Sequence, residues 1–157
     1  MSKTLIVYAS KHGCTEKCAT LLKSNLSGEV DLHSIKDKVS TEIYDTVVIG
    51  GSIHAGRIQK SVKDFCVRHH DLLIARRLGL FICCMEEGEK AQKQFDDAYP
   101  ESLRQHAKAT GLFGGAFDFD RMNFIEKKII KKVAGVTGSI SKISETEIQA
   151  FAKRMQA

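Results

Sequence analysis

The 157-residue chain has no tryptophan, a single proline (Pro100), and only eight phenylalanines and three tyrosines. So few aromatics leave little to stack on unpaired bases, and no nucleic-acid-binding motif occurs, so no nucleic-acid partner is expected. No apolar run approaches the roughly 20 residues that a membrane-spanning helix needs. The N-terminus lacks an apolar stretch followed by a small-residue cleavage site, so a cytoplasmic protein is expected. The five cysteines are an odd number, which argues against a disulfide framework. Cys83 and Cys84 stand side by side in an apolar run and read as small hydrophobes in a reducing compartment. No repeat, low-complexity tract or linker divides the chain, so residues 1–157 are expected to form one domain.

What is present is an ordinary globular mixture, 43% hydrophobic and 27% charged, with a formal net charge of +5. Leu5 to Ala9 is a continuous apolar run and reads as a buried strand. A helix follows, with Cys14, Cys18, Leu21 and Leu22 on one face and Gly28 as its stop. Val30 and Leu32 alternate with polar residues, as on an edge strand. Thr46 to Ile49 and Leu78 to Cys84 are further buried strands. Ser52 to Arg57 reads as a loop, and Val62, Phe65, Cys66 and His69 as one face of a helix. Ala91 and Phe95 mark the next helix, and Pro100 opens a short one. Ala109 to Phe117 reads as the last central strand. Ser144 and Glu147 have capping-box spacing before a helix with the inner stripe Ile148, Phe151, Ala152 and Met155.

Short apolar strands alternating with amphipathic helices predict an α/β fold, a doubly wound parallel sheet covered on both faces. Ligands in such sheets bind beyond the carboxyl ends of the strands. Three segments leave buried strands at that edge: Ser10 to Thr15, Ser52 to Arg57, and Met85 to Gly88. The first carries two hydroxyls and a glycine at a helix start, where unpaired N–H groups and the helix dipole hold anions. It has neither G-x-x-x-x-G-K-[ST] nor G-x-G-x-x-G. Acidic residues of a receiver domain are missing at Ala9-Ser10, and no arginine follows Cys14 as in a cysteine phosphatase. A compact anion loop without metal ligands remains, suited to the phosphate of a flat cofactor. Cys14 and Cys18, at i, i+4, are too few to predict a metal, and no residue pair has the pattern of an acid–base catalyst.

Ser10-Lys11-His12-Gly13-Cys14-Thr15 resembles the phosphate loop of flavodoxins, usually [ST]-x-[ST]-G-x-T. Ser10, Gly13 and Thr15 keep the pattern, and His12 replaces the family's second hydroxyl residue. The resemblance implies five parallel strands in the order 2-1-3-4-5 and non-covalent FMN. The loop Ser10, Lys11, His12, Gly13, Cys14 and Thr15 would wrap the phosphate. Ser52, Ile53, His54, Ala55 and Gly56 would form one wall of the ring site. Cys84, Met85, Glu86 and Glu87 would form the other. The family usually sandwiches the ring between aromatic side chains, and neither wall here contains Phe, Tyr or Trp.

A long stretch separates Phe117 from Ile140, where a short-chain flavodoxin would pass directly into its last helix. Residues 121–135 have a helical pattern, with Met122, Ile125, Ile129 and Val133 on one stripe and Lys127, Lys128, Lys131 and Lys132 opposite. This segment, with Gly51-Ser52-Ile53 and Gly114-Gly115-Ala116, resembles the menaquinone-dependent protoporphyrinogen oxidases of the flavodoxin family. The basic face suits an acidic partner or peripheral contact with an anionic bilayer. Two redox readings follow from the resemblance: an FMN carrier between partner proteins, or an oxidoreductase passing electrons to a quinone. A cofactor-free α/β interaction domain is the reading from another class.

Overall fold

The computed structural model describes residues 3–11, 13–117 and 140–157. His12 and the basic segment with Lys127, Lys128, Lys131 and Lys132 lie outside the described residues. Strands β1 (Lys3–Tyr8), β2 (Glu29–Ser34), β3 (Thr46–His54), β5 (Arg77–Cys83) and β6 (Ala109–Leu112) form one parallel sheet. Their spatial order is β2-β1-β3-β5-β6, with β4 (Arg57–Ile58) hairpinned back onto β3. Counted along the chain, the five parallel strands therefore stand 2-1-3-4-5, the order the flavodoxin resemblance implies.

The central strands β1, β3 and β5 are apolar over most of their length because both faces are covered, whereas the edge strand β2 alternates with polar residues. Alternate residues point to opposite faces, so Leu5, Val7, Val47, Ile49, Leu78, Leu80 and Ile82 line one core. Helices α2 (Lys60–Arg68), α3 (His70–Ile74), α4 (Gly88–Ala98) and α5 (Glu101–His106) cover it, with Val62, Cys66, Leu73 and Phe95 buried in it. Ile6, Val48, Phe81 and Cys83 line the opposite core with α1 (Cys14–Asn25) and α6 (Glu145–Gln156). The inner stripe of α6 is as expected: Ile148, Phe151, Ala152 and Met155 are all buried. Ser144 Oγ accepts the Glu147 N–H at 3.2 Å, so its cap forms as the spacing implies.

Two strand boundaries differ from the sequence reading. β3 does not stop before Ser52 but runs nine residues to His54. Ala55 and Gly56, with φ of 52° and 80°, then make a tight reversal into β4. Two consecutive left-handed residues match the right-handed twist of a hairpin, which hydrophobicity alone does not reveal. The Ala109–Phe117 run is also not one strand. β6 ends at Leu112, and β7 (Ala116–Phe117) pairs antiparallel with β8 (Ile140–Ser141). Glycines 114 and 115 break the run: Gly114 has φ 83°, and a side chain there would collide with the Lys142 carbonyl. The Gly115 carbonyl accepts the Lys142 N–H at 2.7 Å, and the Cys84 N–H donates to the Gly114 carbonyl at 3.0 Å. Residues 114–117 and 140–142 are thereby clamped together beside the exit of β5.

Candidate functional site

The strand register brings the three predicted segments to one edge. Tyr8 of β1 is level with Gly50 of β3, and Ser52 of β3 is level with Cys83 of β5. The Ala9 N–H extends the ladder to the Gly50 carbonyl at 3.0 Å. β1 lies between β2 and β3, so the chain reverses its winding direction here and a crevice opens beyond the strand ends.

The loop after β1 is folded by its own residues. Ser10 Oγ accepts the Gly13 N–H at 3.0 Å. Gly13 is left-handed, φ 88°, which favours glycine, and it is the N-cap of α1. Its carbonyl accepts the Lys17 N–H, starting the helix. Lys11 is exposed, Ser10 and Cys14 are half-buried, and Thr15 is 0% exposed. Among the described residues Thr15 Oγ1 has no hydrogen-bond partner. An orphaned buried hydroxyl costs about 1–3 kcal/mol. At a helix N-terminus, beside a glycine loop, a phosphate oxygen is the partner that removes this cost. The residues present therefore fit a phosphate, with Ser10 and Thr15 hydroxyls and backbone N–H groups as donors.

The second wall is held by a residue outside the predicted set. Gln59, just past the β4 hairpin, accepts the Ser52 N–H on Oε1 at 2.9 Å. Its Nε2 donates to Ser52 Oγ at 2.7 Å and to the Ala9 carbonyl at 3.2 Å. One amide thus ties the end of β1 to the tip of β3. Ser52 Oγ also bonds His54 Nε2 at 2.9 Å, which orients the imidazole. Ser52 is buried, Ile53 and His54 are half-buried, and Ala55 and Gly56 are exposed at the turn. The hairpin signal Ala55-Gly56 could have pointed to Gln59, but Ala-Gly is a weak turn pair beside Asn-Gly. Gln59→Ala should lower flavin affinity several-fold and destabilise the fold by about 1–2 kcal/mol, because the buried Ser52 N–H and the Ala9 carbonyl lose their Gln59 partner. Flavin titration and urea unfolding of that variant check both.

The third wall follows β5. Cys84 is buried, its thiol is within 3.6 Å of the Glu86 carbonyl, and burial pushes its pKa up to about 11. It is a neutral thiol, not a nucleophile. Met85 is half-buried against Gly115, whereas Glu86 and Glu87 are exposed. A cleft of about 430 Å³ opens beside this wall, lined by Cys84, Glu86, Gly114, Lys142 and Glu147 among others. That volume is on the scale of small-molecule sites. The three tyrosines stay out of both ring walls: Tyr8 lies on β1, Tyr44 bonds Asp31, and buried Tyr99 donates to the Phe81 carbonyl at 2.7 Å.

The chain matches a flavodoxin domain over residues 5–144. It is 23% identical over 147 residues to protoporphyrinogen IX dehydrogenase [quinone] of Leishmania major, covering 87% of this chain. It spans only 64% of the length of that relative. Oxidised flavodoxin 1 from Bacillus cereus superposes with a TM-score of 0.58 at 16% identity, covering 99% of this chain and 97% of its own. Oxidised flavodoxin 2 from the same organism gives 0.58 at 22%, covering 99% and 98%. A Fusobacterium nucleatum flavodoxin mutant bound to flavin mononucleotide gives 0.54 at 13%, covering 99% and 96%.

Proposed function

This chain belongs to the flavodoxin domain family and FMN is its cofactor; on that premise we propose that it is an oxidoreductase for a flat reduced organic substrate of the protoporphyrinogen class, with a quinone as acceptor. The observation that carries this reading is the make-up of the two ring walls. Residues 52–57 and 84–87 contain no Phe, Tyr or Trp, so no aromatic lid from them covers the ring. An uncovered ring face admits a planar substrate, whereas a dedicated carrier needs only an edge exposed to its partners. The cleft beside Cys84 and Glu86 supports the reading. So does the likeness to the Leishmania dehydrogenase.

Bound FMN supplies the electron and hydride chemistry. The chain supplies the rest. Ser10 and Thr15 hold the phosphate by hydroxyl donors, and the start of α1 adds its N–H groups and dipole. Gln59 fixes Ser52, and Ser52 fixes His54. His54 is the titratable group best placed on that wall to hold a proton near the reacting edge. Glu86 and Glu87 on the opposite wall disfavour build-up of negative charge there. Lysines 127, 128, 131 and 132 would suit docking on an anionic bilayer, where lipid-soluble quinones reside.

The test is anaerobic turnover of the FMN-loaded protein with protoporphyrinogen and a menaquinone analogue. Quinone-dependent formation of the fluorescent porphyrin is the expected result. A second reading, an electron carrier between proteins, is favoured by the match to the whole length of short flavodoxins. No turnover by a protein whose flavin is still reduced by a flavodoxin reductase would overturn the enzyme reading in favour of the carrier.

A further inference from the structure

The cysteine pair of α1 does not stand alone in three dimensions. The i, i+4 spacing puts Cys14 and Cys18 on one helix face. Cys83, the last residue of β5, points to that same side of the sheet, while its neighbours Ile82 and Cys84 point to the other. The three sulfurs all lie within 4.8 Å of one another. The Cys83 thiol donates to Cys18 Sγ at 3.4 Å. We propose that Cys14, Cys18 and Cys83 bind one thiophilic divalent cation of the zinc class through three sulfurs. Cys14 also belongs to the phosphate loop, but here its sulfur, not its backbone, would serve the metal.

Geometry supports it first. With metal–sulfur bonds of about 2.3 Å in tetrahedral array, ligand sulfurs stand about 3.8 Å apart. The Cys18–Cys83 separation of 3.4 Å and the 4.8 Å limit on all three pairs are compatible with that value. Cys18 and Cys83 are buried at 0% and 2% exposure, and Cys14 is half-buried at the rim. The rim gives a path in and leaves the fourth position on the Cys14 side for water. By contrast, Cys66 is buried in the opposite core and has no place in this cluster.

Without a cation the three sulfurs are thiols, with the Cys83 thiol donating to Cys18 Sγ. Binding therefore breaks three S–H bonds, releases three protons to solvent and forms three metal–sulfur bonds, with no electron moved. A divalent ion leaves a net charge of −1 on the cluster, where a monovalent ion would leave −2. The Lys17 ammonium, which already favours the Cys18 thiolate, offsets the smaller charge. Such a cation would pin the first turn of α1 to β5, directly beneath the phosphate loop.

The experiment uses the FMN-loaded protein, stripped of metal by a chelator and kept reduced by a phosphine under argon. Zinc is added back, and native mass spectrometry and zinc-edge X-ray absorption are recorded. One zinc per chain with three sulfur neighbours is expected. Cys14→Ser should lose at least about tenfold in zinc affinity against a chromophoric chelator, whereas Cys66→Ser should change nothing. Cys18→Ala and Cys83→Ala should abolish tight binding. Should either core variant fail to fold, the sulfur count of the wild-type protein and Cys14→Ser still decide. A first shell of only oxygen and nitrogen, zinc retained equally by Cys14→Ser, or no retained zinc would each overturn the proposal.

Discussion

Thr15→Val is expected to weaken FMN binding by about 10- to 100-fold while stabilising the protein without FMN. Both effects come from one atom. Thr15 Oγ1 is fully buried and lacks a partner among the described residues. Without FMN, the hydroxyl loses its hydration and gains nothing in return, at a cost of about 1–3 kcal/mol. Valine keeps the shape and removes the orphan, so the apoprotein should gain about 1 kcal/mol, or roughly 2–4 °C in Tm. With FMN bound, the same hydroxyl donates to a charged oxygen, an interaction of about 1.5–3 kcal/mol that valine cannot make. Flavin fluorescence titration and thermal melts of the apoprotein measure the pair of effects. Unchanged affinity would remove the phosphate from this loop. A companion change, Ser10→Ala, should weaken binding without the apoprotein gain, because Ser10 Oγ already accepts the Gly13 N–H.

Gly50→Ala should cost about 3 kcal/mol, among the largest penalties expected for adding one methyl group. Gly50 and Phe81 are directly opposite on β3 and β5. The Phe81 ring lies across the glycine, so an added Cβ would sit on the ring carbons. The ring has no room to retreat. It stacks on Phe113 at 4.5 Å and meets Phe151 edge-on at 6.2 Å between centroids. Alanine must therefore push β3 from β5, two residues before Ser52 on the cofactor wall. Phe81→Leu in the Gly50→Ala background should recover part of the loss, since the shorter side chain vacates the space. Urea unfolding of the single and double variants measures this coupling. A loss below about 1 kcal/mol for Gly50→Ala would mean that the ring swings aside.

Much of the architecture was legible from residue pattern. The runs at Leu5–Ala9, Val47–Ile49 and Leu78–Cys84 carry no charged or hydroxyl-bearing aliphatic residue, as a sheet covered on both faces requires. The stripe on α6 and its Ser144 cap are equally local signals. The loop Ser10–Thr15 was legible as a strand-to-helix turn because its signals are local too: two hydroxyls, a glycine and a helix start within six residues. The ring walls were less so. Ser52 and His54 were read as loop because Gly50-Gly51 looks like a strand end. In the sheet those glycines instead make room, Gly50 for the Phe81 ring and Gly51 for Ile58.

The sequence by itself determined the covered parallel sheet and the helices that flank it, because periodicity and turn chemistry act over a few residues; the strand order followed from the family resemblance of one loop. Tertiary structure alone decided that Gln59 holds the β1 and β3 tips together, since its partners Ala9 and Ser52 are 50 and 7 residues away. It alone brought Cys83 to Cys14 and Cys18, across 65 residues from the nearer of its hydrogen-bonded pair. A hydrogen bond or a cluster of sulfurs leaves no periodic trace in the chain. It exists only once the strand register has set which side chains stand at the same height on the same face.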